Sequence, residues 1–167
     1  MRDLLIRPVT PGDAEAVAGV LNEAILDGRW SLLDTPFSVD AERAYIADFP
    51  ERGIFSVAEL PGEGIVAFES LEPFSRYATH EHDHVLTMGT YVREGFRRRG
   101  IASRLAAASF ASARQRGFEK VFTDLRADNL PSLAFHLSLG FTVVGSARRH
   151  ARVGDAYVDV LLVERFL

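Results

Sequence analysis

The stretch REGFRRRGIASR, at residues 93–104, decides how this chain is interpreted. It follows the strand-like run at residues 85–92 and precedes a helix-like run at residues 105–116. A strand that turns through an arginine-rich, glycine-containing loop into a helix is typical of a diphosphate site. The free N–H groups and the dipole of the first helical turn attract an anion there. Five arginines and one glutamate give the stretch a local charge of +4 in a chain of net charge -4.

Two common phosphate loops do not fit this stretch. There is no Gly-x-x-x-x-Gly-Lys-Ser/Thr run, since the only lysine, Lys120, lies outside it, and Gly-x-Gly-x-x-Gly is absent. The pattern that remains is Arg97-x-x-Gly100-x-Ala102. It resembles the Arg/Gln-x-x-Gly-x-Gly/Ala signature of the GNAT superfamily of N-acetyltransferases. In that family the loop binds the pyrophosphate of acetyl-coenzyme A.

A second segment, NLPSLAFHLSLGF at residues 129–141, predicts a short amphipathic helix. Asn129 suits the N-cap, Pro131 sits where a missing N–H is harmless, and Gly140 suits a C-cap. The segment resembles the second GNAT signature, an asparagine followed by a helix that ends in Leu-Gly-Phe. With both motifs present in order, the chain is identified as a member of this superfamily over roughly residues 4–166. It is most similar to the phosphinothricin (amide-type) acetyltransferase branch.

Composition predicts one soluble domain over residues 1–167. The chain is 47% hydrophobic and 25% charged, and it has no cysteine, which excludes disulfides, thiolate zinc sites and an acyl-cysteine intermediate. The pI near 5.7 argues against a nucleic-acid partner. No apolar run reaches membrane-spanning length, and we expect a cytoplasmic protein without a metal or a membrane partner.

The chain reads as β-α-α-β-β-β-α-β-α-β-β. This order, which the GNAT resemblance also implies, predicts an α/β fold with a mixed, mostly antiparallel central sheet and helices on both faces. The expected early elements are a helix capped by Thr10, a helix at residues 39–48 and a hairpin of residues 54–59 and 65–71. The last two strands are expected at residues 142–149 and 157–166.

The resemblance implies acetyl-CoA as the cosubstrate and suggests which residues hold it. Backbone groups of the central strand would line the pantetheine arm and polarise the thioester. The first turn of the helix would bind the pyrophosphate, with Arg97 and Arg98 as charge partners. The implied contacts are Thr90, Tyr91, Val92, Arg97, Arg98, Arg99, Gly100, Ile101, Ala102, Ser103, Asn129, Ser132 and His136.

The catalytic groups are less well defined by the sequence. Many relatives carry a tyrosine seven residues after the asparagine as the acid for the leaving thiolate, and this chain has His136 there. Histidine suits proton transfer near neutral pH, although a structural helix histidine is an equal alternative. The related branch usually has a glutamate as base where this chain has Thr87. Glu69 is the preferred substitute. The alternatives are His82 or His84, in the polar loop at residues 77–84, and a chain of water molecules.

The acceptor is expected to be the primary amine of a small molecule, an amino-acid analogue or similar. The irregular stretch at residues 29–37 lies where the family forms its acceptor pocket, so Trp30 and Phe37 are candidate walls, with Thr87 nearby. Two other functions remain open, acetylation of a protein or peptide amine and an inactive CoA-binding sensor. A homodimer is expected only from the family.

Overall fold

The computed structural model describes residues 3–74 and 80–167. The part of the expected polar loop at residues 77–79 therefore lies outside the described residues. The described strands are β1 (Leu5–Pro8), β2 (Ile54–Leu60), β3 (Gly64–Pro73), β4 (Val85–Val92), β5 (Lys120–Arg126), β6 (Thr142–Val153) and β7 (Ala156–Phe166). The helices are α1 (Ala14–Asp27), α2 (Val39–Ala47), α3 (Ile101–Gln115) and α4 (Leu130–Ser138), with single 3-10 turns at Pro11–Asp13 and Glu94–Phe96.

The described strands form one seven-stranded sheet in the order β1-β2-β3-β4-β5-β7-β6. Neighbouring strands pair antiparallel except β4 and β5, which pair parallel. The sheet has a helical layer on each face: α1 and α2 cover one, and α3 and α4 the other. The mixed, mostly antiparallel sheet and the element order that the sequence predicted are thus confirmed.

Alternation along the strands divides the core between the two faces. On β4, Leu86 and Met88 pack into the cluster beneath α3 and α4. Tyr91 instead packs against Phe68 and the cluster beneath α1 and α2. We call the second side the α1/α2 face, because the functional argument depends on which side chains point to it.

The pairing of β4 with β5 covers only Val85 with Lys120 and Leu86 with Val121. Beyond these two pairs no further ladder bonds join the strands, so the sheet has a split between them. The Thr123 hydroxyl bridges the start of the split by donating to the Met88 carbonyl oxygen at 2.9 Å. A split between central strands leaves backbone N–H and C=O groups without strand partners, and such groups need a ligand or water.

The two largest differences from the predicted element boundaries are at the start of α3 and at the end of β6. Helix α3 begins at Ile101, four residues before the expected position, because Gly100 caps it and Ile101 is already buried. Strand β6 continues to Val153 instead of stopping at residue 149, because a bulge between Ala147 and Ala151 interrupts it without ending it. The expected glycine end of α4 is confirmed: Gly140 has φ +86°, as a helix C-terminus prefers.

In the described part of the chain, no helix is long and apolar enough to cross a membrane.

Candidate active site

The start of α3 is an open anion-binding cradle. Its N-cap is Gly100, at φ +75°, and no side chain within the described residues caps the helix. The N–H groups of Ile101, Ala102 and Ser103 are therefore free to bind an external acceptor, as first-turn donors are. The first turn contains no acidic residue, and a Cβ built on Gly100 would have no neighbour within 4 Å. The expected cradle is thus accessible to a bulky anion.

The arginines of the loop have different positions. Arg97 turns back to β4, where its Nε donates to the Val92 carbonyl oxygen at 3.0 Å, and its guanidinium lies 3.7 Å from Glu23. Arg98 is exposed and has φ +58°. Left-handed residues within a turn are typical of backbone concavities that bind anions. Arg99 is exposed too, with its guanidinium 4.9 Å from the Phe96 ring centroid. Arg97 therefore fixes the loop, and the next two arginines remain at its surface.

Glu69, expected as the base, lies inside the protein. Its side chain has no exposed surface, and its Oε2 accepts a hydrogen bond from the Thr90 hydroxyl at 2.8 Å. Burial, only partly opposed by Ser109 and Thr90, raises the pKa of this carboxyl to about 7. An amine on the surface of the protein has no direct access to this group. The geometry therefore favours a structural role for Glu69 over direct proton abstraction.

Asn129, Ser132 and His136 lie together on and before α4. The Asn129 side-chain oxygen accepts from the Ser132 backbone N–H at 3.0 Å and so caps the helix, as expected. One turn later, Nδ1 of His136 lies 2.8 Å from the Ser132 carbonyl oxygen. Since a carbonyl only accepts, Nδ1 carries the proton, and Nε2 of the neutral ring is the nitrogen without one. The structure thus brings together three residues that the resemblance assigned to the donor site.

His136 is 7% exposed, and its ring packs edge-on against Phe141 with centroids 5.1 Å apart. Burial lowers the pKa of the imidazole, partly opposed by the Ser132 carbonyl. His136 is therefore mostly neutral at physiological pH. To protonate a thiolate it would first have to take up a proton, and its lowered pKa would then make it a strong donor.

Two side chains at the end of β5 hold the segment that follows α1. Arg126 donates to the Gly28 carbonyl at 2.7 Å and to the Ser31 carbonyl at 3.3 Å. Its guanidinium also forms a bidentate pair with Asp128. Asn129 donates to the Trp30 carbonyl at 2.9 Å. We call the contacts of Arg126 and Asn129 with residues 28–31 the loop clamp.

Of the three residues expected to bind the acceptor, only Thr87 lines a cavity on the α1/α2 face. Trp30 lies at the donor loop, where its ring is 5.7 Å from the Arg97 guanidinium. Phe37 is 39% exposed, and both of its backbone groups bond to the Asn22 side chain. The structure therefore does not bring Trp30 and Phe37 together with Thr87.

The cavity that contains Thr87 has a volume of about 150 Å³ and lies beside the split between β4 and β5. It is lined by Phe74, Thr87, Phe122, Thr123, Asp124, His150, Val160 and Leu162. We call it the β5 cavity. Its polar side chains are hydroxyls, one carboxylate and one imidazole, a set suited to binding a small polar group. Nowhere in residues 3–74 and 80–167 do three or more His, Cys, Asp or Glu side chains gather as a metal site.

Arg126, Asp124 and His150 were not among the residues predicted from the sequence, although they lie in the loop clamp or line the β5 cavity. Arg126 is the last residue of a strand with buried positions, and a charged residue there is itself a signal. Asp124 alternates with buried neighbours in the same strand, and period-2 alternation assigns it to the opposite face. His150 had no such signal, because it reaches the β5 cavity through a bulge that the sequence pattern does not announce.

Comparison with known proteins agrees with this geometry. The sequence model of the Acetyltransferase (GNAT) family matches residues 22–141. A phosphinothricin N-acetyltransferase of Streptomyces viridochromogenes is 28% identical over 160 residues, which span 95% of this chain and 85% of that protein.

Solved structures show the same fold. The Salmonella typhimurium protein yncA, solved with its cofactor acetyl-CoA, superposes with a TM-score of 0.90 at 19% identity, covering 99% of this chain and 94% of that one. A ribosomal-protein-alanine N-acetyltransferase of Brucella melitensis superposes with a TM-score of 0.89 at 25% identity, covering 98% and 99% of the two chains.

Proposed function

The chain belongs to the GNAT acetyltransferase family, and from that premise we propose that it acetylates the primary amine of a small molecule. The acetyl donor is acetyl-CoA, and the amine, on an amino-acid analogue or a similar compound, attacks it directly in a ternary complex. The observation that carries the proposal is the uncapped start of α3 at Gly100, next to a split between β4 and β5. A diphosphate and a narrow thioester arm would occupy these two features.

The residues present fit such a donor. The backbone N–H groups from Arg98 to Ser103, which include the uncapped first turn of α3, and the exposed guanidiniums of Arg98 and Arg99 would hold the pyrophosphate. The edge of β4 between Met88 and Val92 would face the pantetheine arm, because its backbone groups have no ladder partners on the β5 side. The bound thioester supplies an activated acetyl group.

The chain has no cysteine, so the acetyl group cannot pass through a cysteine thioester on the enzyme. In the direct route the amine nitrogen attacks the carbonyl carbon and forms the C–N bond. The C–S bond breaks, and the thiolate leaves with a proton. Backbone N–H groups of β4 in the split would stabilise the oxyanion that forms during the attack.

His136 is our candidate for protonating the thiolate. Its place on α4, two turns after the cap Asn129, supports the assignment. Because burial lowers its pKa, this role predicts that the chemical step quickens toward the acid side. Glu69 is excluded from the proposed contacts with substrate, since it is fully buried.

Acetylation of a protein or peptide amine was the second candidate. The Brucella relative is named for this kind of activity. The β5 cavity of about 150 Å³, however, suits a small group better than a peptide chain. A homodimer and a cytoplasmic location remain predictions from the family resemblance and the composition.

A calorimetric titration with acetyl-CoA tests the donor site, and thiol release with a panel of amines tests the transfer. We expect saturable micromolar binding and amine-dependent release of CoA. No binding at millimolar acetyl-CoA would contradict the proposal. Binding without release of thiol for any amine would leave the fold with a sensor function.

A further inference from the structure

We propose that the β5 cavity is the acceptor site and that Asp124 binds the ammonium group there and accepts its proton. The inference rests on the acetyltransferase function proposed above; it keeps the small primary amine and sets the amino-acid analogues aside. The acceptor class is a compact primary amine on an apolar or aryl group, without a carboxylate next to the nitrogen.

The charge in the β5 cavity supports this class. Asp124 is the only carboxylate among the described residues that line it, and no arginine or lysine is among them. The nearby Lys120 is paired with Glu164 at 2.5 Å. Glu72, on the same face of the sheet, accepts a hydrogen bond from the Tyr45 hydroxyl. A cationic amine is therefore favoured at Asp124, and an amino acid would bring its own carboxylate against that charge without a cation to balance it.

Asp124 also lies close to the split. It is three residues beyond Val121, the last β5 residue paired with β4, and the adjacent Thr123 hydroxyl bonds to the Met88 carbonyl. On β4, burial raises the pKa of Tyr91, the Ser31 hydroxyl opposes this rise, and the Asp124 carboxylate adds a smaller contribution to it. An amine held by Asp124 would thus approach the strand that we assign to the thioester.

The size and walls of the β5 cavity favour an apolar group. Phe74 and Phe122 meet edge to face with ring centroids 5.6 Å apart, and Val160 and Leu162 complete the apolar lining. The volume of about 150 Å³ is on the scale of a single aromatic ring. We therefore take a phenyl-sized group on a short arm as the largest acceptor that suits the β5 cavity, with its ring against the apolar wall and its nitrogen toward Asp124.

The bulge in β6 contains a strained residue, and it places a side chain in the wall of the β5 cavity. Arg149 has φ +50°, a strained conformation for a non-glycine residue. Its backbone N–H donates to the Asp159 carboxylate at 2.6 Å, which holds the bulge in place. The bulge brings His150 to the β5 cavity, and bulges beside active sites commonly redirect a side chain in this way.

The chemistry balances with one proton released. Asp124 accepts a proton from the bound ammonium, and the neutral nitrogen forms its bond to the carbonyl carbon. Collapse of the tetrahedral adduct breaks the C–S bond, protonated His136 gives its proton to the thiolate, and the excess proton of the new amide nitrogen restores that of His136. Asp124 then returns its proton to water past His150, and the products are the acetamide, CoA thiol and one free proton.

A matched pair of substrates tests the class with the wild-type chain. Benzylamine and phenylglycine share the ring and the amine and differ by the carboxylate. We expect benzylamine to be acetylated with kcat/KM at least about 100-fold above that of phenylglycine. Equal or better use of phenylglycine overturns the inference. Failure of benzylamine while another amine is acetylated overturns it too, and leaves the proposed acetyltransferase function intact.

The Asp124→Asn variant tests the residue, with Asp155→Asn, at an exposed turn, as the matched control. We expect kcat/KM for benzylamine to fall roughly 100-fold or more in Asp124→Asn, as on loss of a proton acceptor, and to be unchanged in the control. The loss of kcat/KM in Asp124→Asn should shrink as the pH approaches the pKa of benzylamine, because more of the amine then arrives neutral.

The acetyl-CoA affinity measured by calorimetry should match that of the wild type in both variants. An unchanged benzylamine rate in folded Asp124→Asn overturns the inference, whereas loss of acetyl-CoA binding in the wild type contradicts the proposed function itself.

Discussion

The side-chain nitrogen of Asn129 donates to the Trp30 carbonyl oxygen at 2.9 Å, while its side-chain oxygen caps α4. The residue that the family resemblance assigns to the pantetheine arm is therefore bonded to protein at both ends of its amide. It connects the start of α4 with the segment after α1, and Arg126 reinforces the connection through Gly28 and Ser31. The start of α4 and residues 28–31 are thus held together by side-chain hydrogen bonds.

Arg126→Gln should loosen this connection. The arginine side chain is only 9% exposed, and its removal leaves the Gly28 and Ser31 carbonyls without their donor, which costs about 2 kcal/mol. We expect a lower melting temperature, faster proteolytic cleavage near residues 28–34 and a raised KM for the amine. Arg152→Gln, which removes an exposed arginine, serves as the control. Equal cleavage of both variants in this segment would contradict the loop clamp.

Substitution at Gly100 should affect donor binding more than folding. Gly100→Ala introduces strain at φ +75° and Gly154→Ala introduces similar strain at φ +58°, and in both cases the new Cβ meets open space. We expect a comparable small loss of stability, about 1 kcal/mol each, but a weaker acetyl-CoA affinity only at Gly100.

Gly100→Asp should abolish acetyl-CoA binding, because it places a negative charge against the diphosphate. Calorimetric titration of folded Gly100→Ala, Gly154→Ala and Gly100→Asp with acetyl-CoA measures the change in affinity. If Gly100→Asp bound acetyl-CoA with wild-type affinity, the start of α3 would not be the diphosphate site.

Glu69 should make the stability of the protein dependent on pH. Its pKa is about 7 in the folded protein because of burial, above the ordinary value of about 4.3 in the unfolded chain. Between these two values the folded state binds more protons, so the free energy of unfolding falls as the pH rises from about 4 to about 7. The full effect is on the order of 3 kcal/mol.

Glu69→Gln should abolish this slope, because glutamine is neutral throughout the range. We expect the variant to be more stable than wild type at pH 8 and to show no such advantage near pH 4. Urea unfolding at several pH values measures the difference. If the free energy of unfolding had the same pH dependence in both proteins, the Glu69 carboxyl would be charged or solvated in the folded wild type.

His136→Phe should reduce turnover and leave donor binding largely intact. We expect kcat at saturating amine to fall roughly 10²-fold or more, as on loss of a catalytic proton donor, with an unchanged acetyl-CoA dissociation constant. In the wild type, kcat should rise toward acid pH, because burial lowers the pKa of His136 and the cation is scarce at neutral pH. The variant should lose this rise. An unchanged kcat, or the same pH profile in both proteins, would assign His136 to packing against Phe141.

The sequence signals for the proposed donor site are local. A glycine, a cluster of arginines and a strand-to-helix transition lie within residues 93–104, and the structure places Gly100 at the N-cap. The cap at Asn129 and the glycine after α4 depend equally on adjacent residues. Local backbone chemistry determines such features, and a single sequence displays it.

The acceptor site that we propose has no such local signal, because it is assembled from distant strands. Thr87, Asp124 and His150 come from β4, β5 and β6, and a cavity unites them only once the sheet has formed. Glu69 was chosen for its nearness to the central strand along the sheet, but alternation directs its side chain beneath α3. Register and face are tertiary properties, and the register shift before Ala151 has no counterpart in the pattern.

The hydroxyl of Thr123 joins β4 to β5 where the ladder between them has ended. A ladder hydrogen bond joins backbone groups that most substitutions retain, whereas this bond depends on the side chain of residue 123. The residue at position 123 therefore influences how firmly β4 and β5 are held together where the split begins. Descendants of this gene could widen or narrow the cleft for a different acyl chain by changing that residue, with the rest of the sheet inherited unaltered.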